Sequence, residues 1–323
     1  MPDGGEEPGR PVTPPVWASD LVVDEDLAAH LVRSQFPELA HLPVRRFAAG
    51  WDNAVFAVGD ELLFRFVHRG VAVPLAAREL AVLPALAGRL PLPIPVPTYL
   101  GRPVARFDRP FWGGPRIPGE ELAVAGLGED DRVPVARALG GFLRTLHAPD
   151  LARDAVAAAA ARGVTLPTDA NRRGEPTVLR ERTVPRLERL RDAGADVDVP
   201  ALLAVLDTAV VAGPSGGEPV LLHGDLHLRH VLVADDGTAA GVIDWGDSGL
   251  GDPAVDLMIG YAAFTGSARV AFLDAYGPLE PGAPERARAV AVGVCAALLD
   301  SVLADDAQAL VCEVVAALGR VRR

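Results

Sequence analysis

The spacing of apolar and polar residues divides the chain into a strand-rich first part and a helix-rich second part. After a helix predicted from Asp24 to about Phe36, the apolar period changes from that of helices to that of strands. The three strand patterns cover residues 44–47, 54–58 and 62–67. A second helix is predicted at about 75–86, and the alternating prolines of 90–97 make that stretch extended, with no helix possible.

From about residue 130 the apolar spacing is mostly that of helices, interrupted by one cluster of short strands. Helical patterns lie at 133–147, 150–161, 178–190, 199–211, 253–264, 268–276, 284–303 and 307–318. Strand patterns lie at 220–222, 231–233 and 240–243, with a hairpin turn at 235–237. This order predicts a bilobal α+β fold, with a ligand cleft between the lobes. We expect a flexible tail at 1–16, a small β-rich N-lobe at 17–115 and a larger helical C-lobe at 116–323.

Composition limits the function classes that the chain can belong to. Of its 323 residues 50% are apolar and 23% charged, as in ordinary globular proteins, and a formal net charge of −12 argues against a nucleic-acid partner. No apolar run reaches the roughly 18 to 20 residues of a membrane span, and the first residues lack a signal-peptide pattern. We therefore expect a soluble, cytoplasmic protein without a membrane partner. Cys295 and Cys312 lie in apolar helical patterns and are expected to be reduced core thiols.

Three neighbouring motifs in the second part carry the densest chemical signal. They are His223-Gly224-Asp225-Leu226-His227, Ile243-Asp244-Trp245-Gly246-Asp247 and Gly251-Asp252-Pro253. Asp225 follows an apolar strand in a glycine-flanked loop, and Asp244 ends the next hairpin 19 residues later. Carboxylates at neighbouring strand ends suit phosphoryl transfer, in which one orients the nucleophilic hydroxyl and the other holds Mg²⁺ against the phosphates.

Further motifs lie upstream of this cluster. They are Gly50-Trp51-Asp52-Asn53, Leu63-Phe64-Arg65-Phe66, Arg78-Glu79-Leu80-Ala81-Val82-Leu83, Leu90-Pro91-Leu92-Pro93-Ile94-Pro95 and Ile117-Pro118-Gly119-Glu120. Through these motifs taken together, the chain resembles the aminoglycoside phosphotransferase family of bacterial small-molecule kinases. The resemblance extends from about Val44 to Leu257 of the chain. The resemblance implies a protein-kinase-like fold. It also implies transfer of the γ-phosphoryl group of ATP or GTP, with Mg²⁺, to a hydroxyl group of a small molecule.

The resemblance places the catalytic and metal-binding roles in the second part of the chain. It makes Asp225 the catalytic residue beside the acceptor hydroxyl and Asp244 a ligand of Mg²⁺. His230 stands five residues after Asp225, where the second metal ligand is usually asparagine. Imidazole is a poorer ligand for Mg²⁺ than an amide oxygen. A histidine at this place also occurs in the macrolide phosphotransferase branch, whose loop resembles H-G-D-x-H-P-G-H.

The nucleotide-binding roles fall in the first part of the chain by the same resemblance. Arg65 takes the place of the lysine that contacts the nucleotide phosphates, and Glu79 is its partner acid. Gly50 and Asn53 belong to the nucleotide loop, although Gly50-Trp51-Asp52-Asn53 on its own could be a plain β-turn. All 31 basic residues of this chain are arginine, so one replacement of lysine by arginine is weak evidence for lost function.

Four further residues are expected to support the site. We expect His223 to fix the loop through hydrogen bonds of its ring, and His227 to be a structural histidine rather than a ligand. Asp252 directly precedes Pro253, so we expect it to cap the following helix. Asp256 lies one helical turn further on, where it can hold the catalytic loop.

The acceptor stays open at this stage. The resemblance favours an antibiotic, and hence a resistance function, but polycationic aminoglycosides and bulky apolar macrolides are both compatible with the composition of the C-lobe helices. A housekeeping kinase for a sugar, a choline-like alcohol or an amino alcohol is an alternative. A nucleotide-binding pseudokinase is another, which Arg65 and His230 favour slightly and which Asp225 and Asp244 disfavour more.

Overall fold

The computed structural model describes residues 20–303 and 307–322 and divides into two compact units. The first unit extends to Pro74 and includes Thr98–Gly114, and the second consists of Leu75–Pro97 and the chain from Pro115 onwards. The tail expected at 1–16 lies outside the described residues. Residues 75–97, which we expected in the N-lobe, group with the second unit because Leu83 and Leu86 belong to its hydrophobic core.

The first unit is an antiparallel sheet with one helix packed on it. Its elements are α1 (Glu25–Gln35), β1 (Val44–Ala49), β2 (Asn53–Val58), β3 (Leu62–Val67), β4 (Tyr99–Gly101) and β5 (Phe111–Pro115). The strand order is β1-β2-β3-β5-β4. Asp24 caps α1, since its carboxylate accepts a hydrogen bond from the Leu27 N–H at 2.8 Å. A Cβ on Gly113 would lie 2.4 Å from the Phe64 ring, so this core tolerates only glycine there.

The second unit is mainly helical and carries two small sheets. Its helices are α2 (Val73–Leu86), α3 (Val133–Leu146), α4 (Pro149–Ala161), α5 (Pro176–Asp192), α6 (Val199–Ala212), α7 (Ala254–Leu257), α8 (Ile259–Ala262), α9 (Gly266–Tyr276), α10 (Ala283–Val302) and α11 (Gln308–Val321). Its strands are β6 (Glu120–Glu121), β7 (Val220–Leu222), β8 (Val231–Val233), β9 (Ala239–Val242) and β10 (Gly249–Gly251). The sheets are β6-β8-β9 and β10-β7, and α10 packs against α5, α6, α7, α8 and α11.

Most elements lie where the apolar spacing predicts them, and the exceptions have local causes. The expected helix at 253–264 is two short helices, α7 and α8, separated at Met258. Strand β10 was not expected, since two of its three residues are glycines, and it forms by pairing with β7. Cys295 is a buried thiol, as expected, but Cys312 is exposed, which corrects the expectation of two core thiols.

Within the described ranges, none of the helices combines the length and the apolar character that crossing a bilayer requires.

Candidate active site

Two strand ends of the second unit carry the two candidate carboxylates. Strand β7 ends at Leu222, and His223-Gly224-Asp225 follow at once. Strand β9 ends at Val242, and Asp244 follows with a φ of 68°, a left-handed conformation that aspartate adopts more readily than most residues. The Asp244 side chain is half exposed, whereas that of Asp225 is 22% exposed. The chain therefore presents one sheltered and one open carboxylate.

Asp256, on α7, anchors the loop that carries Asp225. Its fully buried carboxylate accepts hydrogen bonds from the His223 N–H at 2.7 Å and from the Gly224 N–H at 2.9 Å. His147 lies behind it, with Nε2 at 3.3 Å from Asp256 Oδ2. The expectation that Asp256 holds the catalytic loop is confirmed.

Gly224 is required where the loop turns. Its φ is 86°, and a Cβ built there would lie 2.2 Å from the Asp247 carbonyl oxygen. An L-residue would be strained by its backbone conformation and would also clash with the Asp247 backbone. The glycine of this motif therefore brings the backbones that carry Asp225 and Asp247 close together.

The ring of His223 connects the loops that carry the two carboxylates. Its Nδ1 accepts a hydrogen bond from the Asp225 N–H at 3.2 Å, so its Nε2 carries the proton and donates to the Ile243 carbonyl at 3.0 Å. Burial lowers the pKa of His223, which keeps the ring neutral. These are the ring hydrogen bonds that a loop-fixing histidine needs.

The carboxylate of Asp225 is paired with an arginine that the sequence motifs do not indicate. Arg173 Nη1 donates to Asp225 Oδ1 at 2.8 Å and also to the Gly224 carbonyl. Burial is the largest single effect and raises the pKa of Asp225, but the Arg173 guanidinium and the three neighbouring histidines together outweigh it and hold that pKa well below its ordinary value. Asp225 is therefore ionised at neutral pH.

Two stacked histidines lie beside Asp225, with ring centroids 3.8 Å apart. His227 Nδ1 accepts from the Arg229 N–H at 3.2 Å, so the protonated Nε2 faces Asp225 Oδ2 at 3.6 Å. Burial lowers the pKa of His227 to about 3, so this ring is neutral. His230 Nδ1 donates to the Asp225 carbonyl at 2.8 Å, and its Nε2 faces Asp244 Oδ2 at 3.5 Å.

The donor set around His230 fits a divalent cation. Potential ligand atoms of Asp225, His227 and His230 lie within 4.8 Å of one another, and Asp244 adds an oxygen beside His230. A histidine that ligates a metal through one ring nitrogen usually donates the other N–H to a carbonyl or carboxylate, as His230 does here. Carboxylate oxygens suit Mg²⁺, and an imidazole nitrogen suits transition-metal ions better.

Asp252 and Asp247 flank the site in different ways. Asp252 Oδ1 accepts from the Ala254 N–H at 2.9 Å at the start of α7, which is the capping contact expected from its sequence position. Its other oxygen accepts from Arg286 Nε at 2.5 Å. Burial raises the pKa of Asp247, and the negative charge of Asp225 adds to that effect. Asp247 is the last residue of the motif that begins at Ile243, but the sequence predicted no role for it.

The residues expected to bind nucleotide lie in both units. In the first unit, Gly50 and Asn53 close the turn between β1 and β2, where the Gly50 N–H donates to the Asn53 carbonyl at 3.0 Å. Arg65 is half-buried in the middle of β3, paired across the sheet with Val55. In the second unit, Glu79 lies on α2 and is 2% exposed, which excludes a plain surface acid.

Comparison with known proteins gives matches along most of the chain. The model of a phosphotransferase enzyme family matches residues 43–290. The GDP complex of aminoglycoside 2′-phosphotransferase-IIIa is 21% identical, with a TM-score of 0.63 over 93% of this chain and 99% of that one. The streptomycin–ATP complex of APH(2″)-IIa is 18% identical, with a TM-score of 0.53 over 93% and 97%. These two structures share the protein-kinase-like fold of the chain.

Two further proteins are similar to the chain, one along most of its length and the other along a short stretch. The apoenzyme of macrolide 2′-phosphotransferase MphH from Brachybacterium faecium is 26% identical, with a TM-score of 0.57 over 91% of this chain and 97% of that one. The uncharacterized protein YcbJ of Bacillus subtilis (strain 168) is 41% identical over 39 residues, which are 12% of this chain. The matched stretch spans only 13% of the length of YcbJ.

Proposed function

The chain belongs to the phosphotransferase enzyme family, and from this premise we propose that it transfers the γ-phosphoryl group of ATP or GTP to a hydroxyl group of a small molecule. One observation carries the proposal. The His230 ring lies between the two carboxylates, with Nδ1 at 3.8 Å from Asp225 Oδ2 and Nε2 at 3.5 Å from Asp244 Oδ2. A hydroxyl-orienting carboxylate beside a metal-binding one is the arrangement that phosphoryl transfer needs.

In this proposal Asp225 is the catalytic residue. Its ionised carboxylate accepts the proton of the acceptor hydroxyl and directs the hydroxyl oxygen at the γ-phosphorus. The O–H bond breaks as the new P–O bond forms, and the nucleoside diphosphate leaves with the electron pair of the old P–O bond. A carboxylate held ionised by Arg173 is a weak base, and this suits a loose transition state in which positioning contributes more than proton abstraction.

Asp244 and His230 are the proposed metal ligands. A divalent cation held by them, which we propose to be Mg²⁺, would supply positive charge to the phosphate oxygens. The chain itself would hold the side chains of Asp244 and His230 so that both face the same cation position. The Asp225 carbonyl fixes the His230 ring by accepting its Nδ1–H, and the left-handed backbone at Asp244 sets the direction of that carboxylate. Gly50, Asn53, Arg65 and Glu79 are assigned to nucleotide binding on the resemblance.

For the acceptor we propose an antibiotic, either an aminoglycoside or a macrolide, and hence a function in resistance. One of the similar structures is a complex with streptomycin, and another is a macrolide 2′-phosphotransferase. His230 favours the macrolide branch, in which a histidine also follows the catalytic aspartate by five residues. Phosphorylation of one hydroxyl adds negative charge and bulk to such a molecule, and both changes weaken its fit to its target.

A phosphorylation screen tests this proposal. The purified chain would be incubated with Mg²⁺, with ATP or GTP, and with a panel of aminoglycosides, macrolides, sugars and small amino alcohols. The expected result is one acceptor that gains the mass of a phosphoryl group. Nucleotide that stabilises the fold while no acceptor in the panel reacts would contradict the proposal and support the pseudokinase alternative.

A further inference from the structure

Arg173 holds both the carboxylate of Asp225 and the peptide that precedes it. Its Nη1 donates to Asp225 Oδ1 at 2.8 Å and to the carbonyl of Gly224. The two side chains are 21% and 22% exposed, so the ion pair is sheltered from water and screened less than a surface pair. A guanidinium bound at two points fixes the direction of the carboxylate as well as its charge.

The loop that carries Arg173 is attached to the strand pair that carries Asp225. The Leu250 N–H donates to the Pro167 carbonyl, and the Asp169 N–H donates to the Leu250 carbonyl, both at 2.8 Å. Leu250 lies in β10, which pairs with β7 directly before the catalytic loop. Gly249 permits this approach, because a Cβ there would lie 2.7 Å from the Pro167 carbonyl oxygen.

The loop itself is turned by an aspartate and contains two left-handed residues. The Asp169 carboxylate accepts from the Arg173 N–H at 2.8 Å and from the Gly174 N–H at 2.9 Å. Asp169 and Arg172 have φ values of 42° and 50°. Such conformations are unfavourable for an L-residue and persist where the surrounding contacts enforce them. The strained turn fixes the backbone from which the Arg173 side chain reaches Asp225.

The two oxygens of Asp225 have different surroundings. Oδ1 is bound by Arg173. Among residues 20–303 and 307–322, no side chain or backbone group hydrogen-bonds to Oδ2, and the nearest ring nitrogens are His227 Nε2 at 3.6 Å and His230 Nδ1 at 3.8 Å. With Oδ1 clamped, Oδ2 is the oxygen that can receive an acceptor hydroxyl.

We propose that Arg173 is a positioning residue for phosphoryl transfer, which clamps Oδ1 of Asp225 so that Oδ2 receives the acceptor hydroxyl. The inference rests on the proposed function. Arg173 acts through Asp225, so its loss should misplace the hydroxyl without weakening substrate binding. A misplacement of about 1 Å lowers a rate on the order of 100-fold. We therefore expect Arg173→Gln to lower kcat by about that factor and to change the KM values for nucleotide and acceptor by less than about threefold.

Three variants test this inference by steady-state kinetics. Arg173→Gln removes the charge, and Arg173→Lys keeps it on an ammonium group that lacks the planar shape of the guanidinium, whose Nη1 makes both contacts. Arg172→Gln is the matched control, because Arg172 is the neighbouring arginine of the same loop and pairs with Glu175 instead. We expect wild-type kcat for the control and a kcat for Arg173→Lys between those of wild type and Arg173→Gln. If Arg173→Gln does not fold, Arg173→Lys must still show the kcat loss at constant KM.

A second comparison separates action through Asp225 from a general effect on folding. In an Asp225→Asn background, Arg173→Gln should lower the residual rate no further, whereas an independent role would add its own loss. A wild-type kcat in Arg173→Gln, or losses that multiply in the double variant, would overturn the inference while the phosphotransferase function stands. A wild-type enzyme that phosphorylates no acceptor overturns the proposed function, and the positioning role falls with it.

Discussion

The three histidines of the catalytic loop each bind the backbone through one ring nitrogen and leave the other for a different partner. His223 uses its second nitrogen for the Ile243 carbonyl, His227 turns an N–H toward Asp225, and His230 turns Nε2 toward Asp244. The sequence motif identifies all three residues but not these tautomers, because each tautomer depends on which backbone group the fold brings to the ring.

The contact of Arg173 with Asp225 is a feature of the site that no sequence motif indicates. Arg173 stands in a polar loop 52 residues before Asp225, and no local pattern connects the two. Their contact exists because the loop is bound along β10. That strand was not predicted either, since its pairing with β7 is a property of the folded chain.

Replacing His230 by asparagine should change the metal preference of the site. The imidazole Nε2 suits Mn²⁺ better than an amide oxygen does, while Mg²⁺ prefers oxygen. We expect His230→Asn to bind Mn²⁺ roughly tenfold more weakly in the presence of nucleotide, with Mg²⁺ affinity maintained or raised. Electron paramagnetic resonance of free Mn²⁺, with Mg²⁺ as competitor, measures both affinities. The exposed His41 supplies a control, His41→Asn. An unchanged ratio of the two affinities would remove His230 from the metal site.

His227 should make the fold sensitive to acid. Burial lowers its pKa to about 3 from an ordinary value of 6.5, so below pH 6.5 the unfolded chain takes up a proton that the folded chain excludes. The free energy of unfolding therefore falls as the pH falls from 6.5 towards 3, by about 2 kcal/mol at pH 5 from this residue. Urea denaturation at pH 7.5 and pH 5 should show a smaller loss for His227→Gln than for wild type. Equal losses would contradict the neutral assignment.

Among the secondary-structure elements, the short helix α7 has only four residues but anchors the loop of Asp225. It carries Asp256, whose two oxygens satisfy the buried N–H groups of His223 and Gly224. Because the helix is packed against α10, the loop of Asp225 is tied to a long helix whose residues are mostly buried. The spacing from Asp252 to Asp256 made this anchor predictable, although the predicted single helix at 253–264 was wrong.

Removing this anchor should destabilise the second unit strongly. In Asp256→Ala two buried N–H groups lose a charged acceptor, and each such loss weakens the fold by about 1.5–3 kcal/mol. We expect a decrease of about 3 kcal/mol or more in the free energy of unfolding, measured by urea denaturation and circular dichroism. Asp256→Asn is the matched control, since its one carbonyl oxygen can still accept one of the two hydrogen bonds. Its free energy of unfolding should decrease by about half as much as that of Asp256→Ala. A decrease below about 1 kcal/mol for the alanine variant would mean that the loop does not depend on Asp256.

Elements rich in apolar side chains were predictable, including the short strands β7, β8 and β9, whereas strands β6 and β10 were not. Strands β1 to β3 and helices such as α3 and α10 bury enough apolar side chains to leave a periodic pattern. Strands β6 and β10 have two and three residues, so pairing partners rather than side-chain periods determine them. Strand β10 nevertheless helps to position the site, because it holds the loop that carries Arg173.

At the scale of the whole molecule, the two compact units divide the proposed tasks. The second unit holds the candidate catalytic and metal residues, and the first holds Arg65 on its sheet. The formal net charge of −12 leaves the chain as a whole unattractive to polyanions, so the proposed nucleotide binding would depend on local cations, among which the resemblance assigns Arg65.

Nucleotide should therefore stabilise the folded chain, and Arg65 should contribute to that effect. At a nucleotide concentration about 1,000 times Kd, the gain is about 4 kcal/mol. We expect ATP or GTP with Mg²⁺ to raise the Tm of the wild type and to raise that of Arg65→Ala markedly less. Arg45→Ala is the control, an exposed arginine of β1 in the same sheet, and should behave like wild type. Equal Tm increases for all three proteins would exclude Arg65 from nucleotide binding.

The most direct test of the central claim compares the phosphotransfer rate of wild type with that of Asp225→Asn. The acceptor would be the one identified by the screen, and mass spectrometry would follow its phosphorylated product. The exposed hairpin carboxylate Asp235 provides the matched control, Asp235→Asn. We expect wild-type turnover in the control and a fall on the order of 1,000-fold or more in Asp225→Asn, with nucleotide binding retained. Turnover in Asp225→Asn within a few-fold of wild type would contradict the central claim.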